Sequence, residues 1–97
     1  MTPTLECVAQ TGVNKYSAYF GYKNTTSNFI IAPIGPNNGF NPTPLFRGQP
    51  PLFIPFHIFL YPDVAFVTSF DGNTITWTLN NTSVSASRTS ARCPTGH

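Results

Sequence analysis

Charge is what this sequence lacks most. Only 8% of its 97 residues are charged, against about 25% in an ordinary soluble domain. Five basic and three acidic residues leave a net charge of +2. That excludes an electrostatic grip on nucleic acid, which needs a clustered basic face. Long apolar runs are missing too. The longest, Leu52 to Tyr61, is broken by Pro55 and His57 and falls well short of the roughly 18 residues of a membrane span. The N-terminus has no basic segment leading into an apolar stretch, so no signal peptide is expected. No segment of ten residues carries the 3.6-residue apolar period of a helix. The length suits one domain and not two. We expect a single module spanning residues 1–97, with Met1 and Thr95-Gly96-His97 as the edges of a segment cut from a longer protein.

The usual equipment of a catalyst is equally sparse. The acids are Glu6, Asp63 and Asp71, and no two stand at close spacing, so paired-carboxylate hydrolysis has no parts to work with. His57 has no recognisable Ser or Cys partner with an orienting acid, and its expected role is packing. Three scattered acids do not make a calcium loop. The expectation is therefore no enzyme, no catalytic residue, no metal and no cofactor.

What the chain does have is neutral polarity, proline and aromatic rings. Thirteen Thr, nine Asn and seven Ser replace the missing charge, alongside ten Pro, seven Gly, nine Phe, four Tyr and one Trp. Alternation marks strands. Leu5 to Gln10 reads as a first strand. Tyr16, Ala18, Phe20 and Tyr22 share one face of a second. Phe29 to Ile34 is β-branched. Val64, Phe66, Thr68 and Phe70 share a face near the end. Thr74, Thr76 and Thr78 then alternate with Ile75, Trp77 and Leu79, which places Trp77 in the core. Ser83 to Ser87 is the last strand. Thr11–Asn14 and Asn24–Asn28 read as turns, Asp71-Gly72-Asn73 as a hairpin turn and Asn80-Asn81 as a second tight turn. Between residues 33 and 62 lie eight of the ten prolines. Proline removes ladder donors, so strands there must be short or at an edge, and Gly35–Gly39 should be turns. About seven short strands make an antiparallel β-sandwich the expected architecture, with a small barrel as the alternative.

Two cysteines, Cys7 and Cys93, stand near the two ends. A disulfide is favoured over two buried thiols, because zinc would need more ligands than the chain supplies. It would staple first strand to last and points to an oxidising, extracellular setting.

Several phrases occur together in a defined order: Tyr19-Phe-Gly-Tyr-Lys-Asn24, Pro33-Ile-Gly-Pro-Asn-Asn-Gly-Phe40, Arg47-Gly-Gln-Pro50 and Thr76-Trp-Thr-Leu-Asn80. In this set the chain resembles a repeat module of large extracellular and cell-surface proteins of microbes. The resemblance spans roughly residues 5–88. It implies an immunoglobulin-like sandwich, often in tandem with neighbouring modules of the same chain, and it supplies no catalytic residues. The chain departs from the pattern at Phe56 to Tyr61, where the pattern turns at Gly and continues with polar residues.

The candidate contact residues are Phe40, Phe46, Arg47, Phe56 and Tyr61, in or beside the proline-rich region. Exposed rings there would form an apolar platform for a glycan or protein ligand; the alternative is that they cap the sandwich. Arg47 would either tie loop carbonyls together, which its five fixed donors suit, or meet a ligand carboxylate or sugar. Sequons at Asn24, Asn80 and Asn81 fall in expected turns, where a glycan could attach without disturbing the core. Three roles follow: a structural or adhesive spacer, a carbohydrate- or peptide-binding module, or a module that self-associates through Leu52 to Tyr61.

Overall fold

Tyr16, Ala18, Phe20 and Tyr22 all turn inward from one long strand, and the rest of the chain assembles around them. The computed structural model describes residues 1–59 and 61–94, and among these there is no helix. Nine strands occur: β1 (Thr2–Gly12), β2 (Lys15–Asn24), β3 (Ile30–Ile31), β4 (Asn38–Asn41), β5 (Leu52–Phe53), β6 (His57–Ile58), β7 (Phe66–Phe70), β8 (Ile75–Leu79) and β9 (Thr82–Ala86). All strand pairs are antiparallel. The fold is an all-β sandwich. In one layer β2 pairs with β1 along one edge, and with β7 and then β6 along the other. The opposite layer is β4-β8-β9. A short β3–β5 ribbon sits beside Tyr22 and Trp77, which its Phe53 ring contacts.

A bulge decides which way β1 faces. Leu5 pairs with Phe20 but Cys7 pairs with Tyr19, so Glu6 is the extra residue. Without it Leu5 and Cys7 would share a face. With it Leu5 and Val8 both pack on the core, and Cys7 sits opposite Tyr19. There Cys7 meets Cys93, with Cα atoms 4.8 Å apart. The anticipated staple is present.

Asp71-Gly72-Asn73 does not close a hairpin. β7 pairs with β2, whereas β8 pairs with β4 and β9, so the turn carries the chain from one layer to the other. The physical reason is the shared apolar parity of the two strands. Phe66 and Phe70 bury their rings from one layer while Ile75, Trp77 and Leu79 bury theirs from the other. Gly72 is required at the crossing: its φ is +97°, and a Cβ there would stand 2.7 Å from the Tyr16 ring. Asn80-Asn81 is the tight turn anticipated, with Leu79 opposite Thr82. In the proline-rich region the anticipated Phe29–Ile34 strand shrinks to two residues. Conversely, Asn38 and Gly39, expected within the Gly35–Gly39 turns, open β4, which pairs with β8 from Asn38 to Asn41.

Trp77 is the centre of the core. The rings of Phe20, Phe40, Phe53 and Phe66 surround it at 5.0–6.5 Å, distances at which aromatic pairs add to simple burial.

The staple makes a quantitative prediction. Its cysteines are 86 residues apart, and constraining an unfolded chain over that span contributes about 4–5 kcal/mol. Urea denaturation with and without reductant should show a loss of that order. A loss below about 1 kcal/mol would contradict the chain-entropy account.

Candidate functional site

Prolines create the problem that this region solves. Each lacks an N–H, so carbonyls nearby lose the backbone donors a sheet would offer. Three side-chain amides add donors to this region, and all three are buried. Asn38 Nδ2 donates to the carbonyls of Ala32 at 2.7 Å and Pro50 at 3.0 Å. Its Oδ1 accepts from Trp77 Nε1 at 2.9 Å. Gln49 Nε2 donates to the carbonyls of Leu45 at 2.8 Å and Asn38 at 3.2 Å, and its Oε1 accepts from the Arg47 amide. Asn24 Nδ2 donates to the carbonyls of Asn28 and Ile54, while its Oδ1 accepts from the amide and hydroxyl of Thr26.

Trp77, Asn38 and Gln49 thus form one chain of bonds from the core to the surface loops. A buried polar group without such partners would cost about 1–3 kcal/mol. Tyr22 extends the same device, its hydroxyl accepting from the Ile54 amide at 3.0 Å. Gly39 lets β4 pass close against the Gly35 turn, because a Cβ would stand 2.5 Å from the Gly35 carbonyl. The residues of the ordered phrases are therefore the ones that hold the loops down.

Arg47 takes the structural role. Its Nη2 donates to the carbonyls of Pro42 and Thr43 at 3.2 and 3.3 Å, and its guanidinium lies over the Phe40 ring, 5.8 Å from the centroid. The aromatic platform does not form as anticipated. Phe40 is buried, because its face of β4 is the one that stacks on Trp77. Tyr61 is half-buried, edge-on to Tyr19, and its amide donates to Glu6 Oε1. Phe46 and Phe56 are exposed. They belong to different loops: Phe46 precedes Arg47, and the Phe56 amide donates to the Thr26 carbonyl. Leu60 and Thr95–His97 lie outside the described residues.

The Asn24 sequon is also corrected. Asn24 is fully buried and both its amide atoms are bonded, so a glycan on Nδ2 is incompatible with this fold. Asn80 and Asn81 are exposed.

His57 packs against the rings of Phe59 and Tyr22. A cleft of about 360 Å³ opens beside the Arg47 loop, lined by Pro42, Thr43, Arg47, Asp71, Asn73 and Thr74 among others. Its one carboxylate, Asp71, already accepts from the amide and side chain of Asn73. Among the described residues, no three of His, Cys, Asp and Glu stand together, and no helix is long and apolar enough to cross a membrane. The chain matches no protein-family model, no curated protein and no solved structure.

Asn38→Leu keeps the branched shape of the side chain and strips the donors and acceptor. It strands two carbonyls and the indole N–H, so a loss of about 3–5 kcal/mol is expected in denaturant titration. Phe46→Ala, at an exposed site, should change stability by less than about 0.5 kcal/mol. Equal losses in the two variants would show that the amide is not what anchors the loops.

Proposed function

We propose that this protein is a non-catalytic structural module of an extracellular or surface protein, serving as a spacer that carries tension between its two ends. The observation that supports this is the way the chain leaves the staple. Beside the disulfide the last segment runs parallel to β1: the Val8 amide donates to the Ala91 carbonyl, and the Cys93 amide donates to the Val8 carbonyl. Parallel neighbours exit in opposite directions. The chain before Cys7 and the chain after Cys93 therefore lead away from one covalent joint towards opposite ends of β1.

Tension applied to those two ends passes through the sulfur–sulfur bond. Everything between residues 7 and 93 lies inside the closed loop and is spared the load. This includes β2 to β9, the Trp77 core and the amide-anchored loops. Disulfides persist in oxidising compartments, which fits an extracellular location. Scarce acids and bases fit a module without chemistry, and the resemblance to surface-protein repeats points the same way. A spacer also needs solubility without charge, and the outer face of β8 and β9 provides it. Thr76 pairs with Ser85 and Thr78 with Ser83 through their hydroxyls.

Single-molecule stretching from the two ends tests this reading. Without the disulfide, unfolding should release the 86-residue separation, about 300 Å of chain at about 3.5 Å per residue, less the folded span. With the disulfide that step should vanish. A step of the same length in both states would overturn the proposal.

A further inference from the structure

The β3–β5 ribbon turns large apolar side chains outward in register. Its inner side is spent on the core, through Ile30, Ala32 and Phe53. Its outer side is apolar as well. Ile31 stands opposite Leu52, and they are 73% and 47% exposed. Extending that register puts Phe29 opposite Ile54, 62% and 46% exposed. Asn24 Nδ2 holds these two positions together through the carbonyls of Asn28 and Ile54. Beyond Ile54 the register ends: Phe56 lies in a turn with φ +52°, and its amide donates to the Thr26 carbonyl.

With about 200 Å² for a large apolar residue, these four exposures amount to about 450 Å². That is within the range of the largest apolar patch of a monomer, about 300–600 Å², which often marks a functional surface. It also makes up over half of the roughly 800 Å² that each partner contributes to a standard interface. The rim completes it with Thr25, Ser27, Pro33 and Pro51, all exposed. Among the described residues β3 and β5 pair only with each other.

We propose that this outer ribbon face is a self-association surface whose occupant is a second copy of the chain. Charge decides the occupant. No Asp, Glu, Lys or Arg occurs between Lys23 and Arg47, or between Arg47 and Asp63. A charged partner finds nothing complementary here, and an anionic lipid surface finds no basic residue in the patch. A two-fold interface requires a patch that fits itself. An apolar face with a neutral polar rim does so without burying an unpaired charge. This inference goes beyond the spacer reading and stands independently of it.

Sedimentation velocity of the oxidised chain, from about 5 to about 500 µM, tests it; standard-size interfaces reach at least micromolar affinity. The expected result is a rise from monomer to dimer mass. Ile31→Lys should stay monomeric throughout, since the two-fold would bring buried lysines together. Ile31→Thr keeps the β-branch and should weaken the dimer about tenfold. Val13→Lys, at the exposed β1–β2 turn, should dimerise like the parent. A parent that is monomeric throughout, or an Ile31→Lys variant that still dimerises, would overturn the proposal. Neither result touches the load-bearing reading, which fails or stands on stretching with and without the disulfide.

Discussion

The bond from the Trp77 indole to Asn38 Oδ1 is the contact on which the rest of the structure depends. Trp77 is enclosed by four phenylalanine rings, and a buried indole N–H needs an acceptor. Asn38 provides it, which fixes the orientation of its amide. The fixed amide then points two donors at Ala32 and Pro50. In this way one aromatic centre dictates where two proline-rich segments lie, and Gln49 passes the same constraint on to Leu45 and the Arg47 loop. A chain with eight prolines in 30 residues cannot anchor that region by sheet ladders alone. Buried side-chain amides add donors that anchor it.

The covalent staple works at a different level. The amide network holds loops to the core in the folded state, whereas the disulfide acts chiefly on the unfolded chain and on the path of force. The two are linked through the bulge at Glu6. That extra residue turns Val8 into the core and brings Cys7 beside Cys93. The Glu6 carboxylate meanwhile accepts from Thr4 and from the Tyr61 amide. A charged residue, rare in this chain, is thus spent on fixing the backbone at Tyr61.

Much of this was legible in the sequence where alternation is strict. β2, β7, β8 and β9 follow their apolar parity, and Trp77 and the Cys7–Cys93 pair stand where spacing and composition place them. Parity says which face is buried but not which strands are neighbours, so the crossing at Asp71–Asn73 reads as a hairpin until β7 and β8 are seen in opposite layers. The proline-rich region hid more. Asn38 looks like a turn residue, Asn24 like a glycan acceptor and Phe40 like an exposed ring, because each type most often plays that part. The missed signal was the pairing of Asn and Gln amides with the carbonyls of a region short of backbone donors. Arg47 was legible for the same reason, since a guanidinium beside proline carbonyls has an obvious use. Self-association through Leu52 to Tyr61 was among the expected roles, but the β3 half of the ribbon face escaped because Phe29 and Ile31 lie 21 or more residues from Leu52, and only the register brings them side by side.

Hydrogen exchange of side-chain protons tests the central claim most directly. If the amides are part of the core, the Trp77 Nε1 proton and the side-chain amide protons of Asn38 and Gln49 exchange as slowly as the backbone amides of β2 and β8. They would then open only with the whole domain. If those side-chain protons exchange at the rate of surface amides while the β2 and β8 backbone stays protected, the proline-rich loops are not held by this network and the account is wrong.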